Sequence, residues 1–158
     1  MRHAELTLGR SFALAFDDGE NLVDELTSFC RRTGIRQAIV PMFLGGFRRV
    51  GLVGTVGPLA NPEKPLWEET VLTTVEAVGA ATLAWDPGTE SVSPHIHVAV
   101  GRKDLEAAGS VSHLKWAEVQ FIQEMFLQEV LGPTMLRPEC GPDKVPTLMF
   151  EPGTATDG

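Results

Sequence analysis

Residues 93–101 read Ser-Pro-His-Ile-His-Val-Ala-Val-Gly. A period of two in polarity belongs to an extended strand with unlike faces. Ile96, Val98 and Val100 share the face that must be covered; His95, His97 and Ala99 share the other. Such a segment commits the chain to a sheet packed on one side. It also sets two of the chain's four histidines side by side on the opposite face.

The rest of the chain supplies partners for that strand. Residues 10–16, RSFALAF, alternate loosely and predict a first strand. Residues 21–33, NLVDELTSFCRRT, place Leu22, Val23, Leu26, Phe29 and Cys30 at helical spacing. Asp18 or Asn21 caps that helix, Arg31 and Arg32 suit its C-terminal end, and Gly34 terminates it. IRQAIVPMF predicts a buried strand, and GGFRRVGLVGTVG a second one set off by its glycine pair. The Pro/Gly-rich stretch 57–66 reads as a loop. Residues 68–85, β-branched and Ala-rich, predict one bent strand or two broken near Gly79, with a turn at Asp86-Pro87-Gly88.

Segment 114–130 fits two periods. Leu114, Ala117, Phe121 and Met125, with Ile122, Phe126 and Val130, favour a helix slightly; a strand also fits. From Gly132 onward the chain holds five of its eleven prolines and predicts an extended wrap ending in a short strand, TLMF, with residues 153–158 disordered.

A length of 158 residues, 43% hydrophobic and 22% charged, is that of one globular domain spanning 1–158. No apolar run approaches a membrane span, and the N-terminal residues lack a signal-peptide core. A net charge of -8 argues against direct binding to nucleic-acid phosphates. The two cysteines, Cys30 and Cys140, read as free thiols in a reducing cytoplasm.

On one strand face His95 and His97 stand about 7 Å apart at the backbone, close enough for two imidazoles to converge on one ion. His113, beyond the charged loop GRKDLEAAG, is the natural third ligand. Zinc held by three histidines keeps a coordination position open, the mark of a catalytic or ligand-binding ion; nickel, copper or iron would suit the same rings. The bland alternative is a pair of polar residues on a solvated face. Arg48 and Arg49 point to opposite faces of their strand, and Arg49 is the candidate for fixing an anionic group. Trp67, Trp85 and Trp116 are core, interface or pocket residues. His-x-His also opens a cupin motif, but Gly101, Arg102 and Lys103 stand where that motif wants a glutamate.

Taken in order, GENLVDELTSFCRRTGIRQAIV, LGGFRRVGLVG, VEAVGAATL, HIHVAVG and SHL resemble the plants-and-prokaryotes domain family (PPC, also PCC) over about residues 10–130. Residues 131–158 then form a C-terminal extension. The resemblance implies an α+β fold with a central, largely antiparallel or mixed sheet, flanking helices and a trimer. It implies zinc on His95, His97 and His113, and a strand over 117–128. It also marks Glu124 and Glu76 as the carboxylates that would move a proton or orient a ligand histidine. The function expected from residues and resemblance together is a cytoplasmic, metal-binding homotrimer acting on a small-molecule substrate by hydrolysis, hydration or elimination. The alternative is a non-catalytic interaction or regulatory module associated with DNA.

Overall fold

In the computed structural model of the chain, residues 1–54, 68–141 and 144–151 are described. The loop expected over 57–66, Trp67 and the tail 153–158 lie outside them. The chain runs β1 (Thr7–Asp17), α1 (Leu22–Thr33), β2 (Ala38–Gly54), β3 (Glu68–Asp86), β4 (Ser91–Arg102) and β5 (Ala108–Gly132). Four short strands follow: β6 (Thr134–Leu136), β7 (Glu139–Cys140), β8 (Val145–Pro146) and β9 (Met149–Glu151).

The main sheet has the order β1-β5-β2-β3-β4, and β5 pairs with β4 as well, so the ring closes. All its pairings are antiparallel. β5 is the shared wall. One edge runs along β2, and the other meets β4 over residues 108–113 and β1 over residues 122–132. The inward faces of the strands fill the ring with Phe43, Phe47, Val50, Leu83, Val98, Leu114, Val119 and Met125, all buried.

The single α-helix starts where Asn21 Oδ1 accepts from the backbone N–H groups of Val23 and Asp24. It ends at Gly34, whose φ of 74° is the left-handed cap that glycine adopts without strain. Leu22, Leu26 and Cys30 carry its buried stripe against β4 and β5.

Several expectations need correction. The expected helix-flanked α+β fold is not what the chain forms: among the described residues about 70% is strand and 11% helix, in a small closed barrel with one α-helix, and the expected trimer finds no support. The physical reason is closure. Each strand covers its inner face with the strands across the ring, so the core is completed by the sheet itself with α1 against β4 and β5. The two strands expected around Gly45-Gly46 are one, bent by register shifts against its neighbours. Residues 68–86 are likewise one strand. Segment 114–130 lies wholly within β5, against its helical spacing.

The tail folds back over the barrel. Gln37, buried on the approach to β2, donates from Nε2 to the Pro133 carbonyl and accepts from the Met135 N–H at Oε1. Met135 packs with Ala84 and Val130, and with Leu6, Ile39, Leu148 and Phe150 around them, as a small second core.

Candidate metal centre

The three histidines of the β4 and β5 segments meet. His97 lies directly opposite His113 in the β4–β5 register. His95, two residues back on β4, shares their face. The short 3-10 turn Lys103–Leu105 and the turn after it carry the chain back, so the charged loop acts as the hairpin connection expected of it. Ser112 fixes the start of β5 by donating its hydroxyl to the Val53 carbonyl at 2.6 Å.

One nitrogen from each ring lies within 4.8 Å of the others. His95 Nε2 and His113 Nδ1 are 3.0 Å apart. The His97 and His113 ring centroids are 4.1 Å apart. Ligand nitrogens on a tetrahedral zinc stand about 3.3 Å from one another, given Zn–N bonds of about 2.0–2.1 Å. Small ring rotations therefore bring the set to coordination geometry, and the donor chemistry fits zinc.

Burial disfavours the charged form of two of the rings, His95 and His113. It is the largest influence on His95, whose pKa is pushed down to about 4, with the Arg137 cation, His113 and His97 adding to it. Burial also lowers His113, with His97 beside it. Neutral imidazole is the form that ligates a metal. The sign for stability follows. Below the ordinary value of 6.5 the unfolded chain takes up the His95 proton first, so folding stability is full above that pH and is lost as pH falls toward about 4. The metal-free protein is expected to melt at progressively lower temperature across that window, and His95→Asn to flatten the slope. Melting curves of both proteins from pH 7 to pH 4, read for parallel slopes, would refute the assignment to His95.

Sequence reasoning missed Arg137 and Thr82. Arg137 comes from the tail just after β6, and its Nη1 lies 3.1 Å from His95 Nδ1. Its Nη2 donates to Thr82 Oγ1, and Thr82 stands directly opposite His95 in the β3–β4 register. Only the β3–β4 pairing itself was open to reading in the chain.

The other expected site residues lie elsewhere. Glu124 is exposed on β5 between Ala15 of β1 and Leu44 of β2. Glu76 is exposed on β3, opposite Gly101, on the same outer face as Ala80, which is opposite His97. Arg49 is exposed on β2, with its guanidinium over the Trp116 ring at 5.5 Å; Trp116 Nε1 donates to Glu69. Trp85 carries Arg36 over its ring at 4.2 Å. Cys30 is buried and Cys140 half-buried, both free thiols. No helix of the described residues is long and apolar enough to cross a membrane.

Solved structures share this fold. A plant- and prokaryote-conserved (PPC) protein from Pyrococcus horikoshii superposes with a TM-score of 0.79 at 23% identity, covering 94% of this chain and 97% of that one. A protein from Archaeoglobus fulgidus described as metal-containing gives 0.79 at 22% identity, with 94% and 99% covered. A Bacteroides thetaiotaomicron protein described as a putative DNA-binding protein gives 0.71 at 18% identity, with 92% and 96% covered. Among curated proteins, none matches.

That last solved relative corrects the expected partners. A small-molecule substrate and a homotrimer find no support, and the exclusion of direct nucleic-acid contact does not stand on a fold shared with a protein so described. Net charge sums the whole molecule, whereas binding is decided by the local field of one face, so a value of -8 does not by itself decide the question. The sequence model of the Plants and Prokaryotes Conserved (PCC) domain matches residues 3–130, so the chain belongs to that family.

Proposed function

We propose that this chain is a metal-binding member of the family, with His95, His97 and His113 holding one divalent transition ion, zinc in the first place. The observation that carries the reading is the convergence of three ring nitrogens within 4.8 Å. The metal-containing relative from Archaeoglobus fulgidus supports it at the level of a shared fold. Three ligands leave a tetrahedral ion one place short. Bound there, the ion supplies Lewis acidity, which suits a hydrolysis, hydration or elimination. The chain's own part is to present the three rings together on the outer face of β4 and β5, with burial disfavouring the charged form of His95 and His113. Glu76 shares the outer face with the rings but stands four residues along β3 from Ala80, the partner of His97, so it would move a proton to the site through intervening water. Arg49 keeps the role of an anion-fixing residue at the rim.

The test is a calorimetric titration of chelator-treated protein with zinc, repeated with cobalt(II) for its absorption spectrum. The expected result is one ion per chain, with the intense visible bands of tetrahedral nitrogen ligation. Failure to bind either ion at micromolar concentration removes the reading. A second reading, a DNA-associated module, draws on the description of the Bacteroides thetaiotaomicron relative. A gel-shift titration of duplex DNA at low salt, with metal-free and zinc-treated protein, separates the two.

A further inference from the structure

The metal-free site already holds a competitor for its own ligand. Arg137 Nη1 lies 3.1 Å from His95 Nδ1, and a guanidinium has donors only. His95 Nδ1 therefore accepts. The proton of the neutral ring then sits on Nε2, which donates to His113 Nδ1 at 3.0 Å. Each of these atoms is satisfied, and a proton lies between two nitrogens that a metal would share.

That arrangement cannot survive metal entry. If Nε2 ligates the ion, the neutral ring must carry its proton on Nδ1, and that N–H then faces the N–H of Arg137. If Nδ1 ligates instead, the guanidinium stands where the ion must go, and two cations meet. Both cases require the same movement.

We propose that Arg137 is a latch on the metal site: it holds His95 in the metal-free protein, and metal entry releases it together with the tail segment 137–140, beyond the Met135 anchor. The inference rests on the metal reading above and makes Arg137 a positioning residue. The tail is built for such a step. Among the described residues β6 pairs with the three-residue β9, so few backbone bonds hold it. Gln37 anchors the chain at Pro133 and Met135, upstream of Arg137, and beyond Arg137 the Pro138 carbonyl and β7 are bonded to other parts of the tail, Thr147 and β8. Arg137 Nε is buried without a partner among the described residues, so the latched guanidinium is incompletely satisfied, which lowers the cost of release.

The experiment is a zinc titration of the full, chelator-treated chain against a competing chelator, for the natural protein and for Arg137→Met. Removal of the latch is expected to tighten zinc binding about tenfold, the scale of one charge-assisted hydrogen bond no longer broken on entry. The same variant should melt at lower temperature than the natural protein when metal-free, because its bonds to His95 and Thr82 are gone. A merely structural arginine would not move the two readouts in opposite senses. Thr82→Val frees the other end of the guanidinium and is expected to shift affinity in the same direction by less; it carries the test should Arg137→Met not fold. In the natural protein, zinc should also lower hydrogen-exchange protection over residues 137–140. Equal or weaker zinc binding by both variants, or unchanged protection of the tail, overturns the latch and leaves the metal site standing. Absence of zinc binding by every protein, the natural one included, overturns the metal reading and the latch with it.

Discussion

His97→Ala is expected to lower zinc affinity by more than about 100-fold while leaving the metal-free protein within about 0.5 kcal/mol of its natural stability. The two halves of that result have separate causes. Loss of an orienting partner of a ligand already costs about 10–100-fold in affinity, and loss of the ligand itself costs more. The stability half follows because the His97 side chain is exposed on the outer face of the barrel. Its backbone, paired with Ala80 and His113, is untouched by the change. Glu124→Gln is the companion control: between Ala15 and Leu44 it stands apart from the ring cluster and should bind zinc as the natural protein does. Calorimetric titration gives the first quantity and chemical denaturation of chelator-treated protein the second. Undiminished zinc binding by His97→Ala would show that the three rings do not share an ion.

Gly79→Ala is expected to be strongly damaging for so small a substitution in the barrel wall. A methyl group built there overlaps the end of the Phe43 ring and stands 2.5 Å from the His97 carbonyl oxygen. Phe43 is fully buried and cannot swing away, and the carbonyl belongs to the β4 backbone. Overpacking of this kind costs about 1–3 kcal/mol, and a clash with a backbone atom on one side puts the change at the upper end. The strand that must yield also carries His97, so zinc affinity should fall as well. Phe43→Leu introduced alongside removes the ring edge and should recover part of the loss, a coupling between neighbours that separate substitutions do not show. Urea denaturation of the three variants measures it. A loss under about 0.5 kcal/mol for Gly79→Ala would mean that the wall gives freely at this point.

The sequence carried some features plainly and hid others for identifiable reasons. The β4 histidines were legible because a period of two admits one geometry, and α1 because Asn21 and Gly34 mark its ends. β5 was hidden by its own bulges. Its buried positions include Leu114, Ala117, Val119, Gln123, Met125 and Leu127, and the register against β2 shifts between them. Two of these shifts lengthen β5, between Leu114 and Trp116 and between Gln120 and Gln123, so a period of two acquires steps of three and four that imitate a helix. Phe121, at φ 65° and exposed, sits at one such point, where Asp18 accepts from its N–H. The resemblance, not the periodicity, read this strand correctly. It also suggested flanking helices, which barrel closure makes unnecessary. Arg137 was beyond reach because its meeting with His95 depends on a tail folded over the barrel through Gln37, Met135 and Phe150, and no local pattern encodes a contact at that separation.

The shared wall has a consequence for how the chain is made. Among the described residues β1 pairs only with the far half of β5, Thr7–Asp17 against residues 122–132. At elongation rates of about 5–20 residues per second, a nascent chain therefore carries its first strand unmatched for roughly 6–20 seconds before that half has even been polymerised. During that interval both edges of β1 are available to other polypeptides, so aggregation in the cell should depend more on translation speed and chaperone supply than on the finished barrel's thermodynamics.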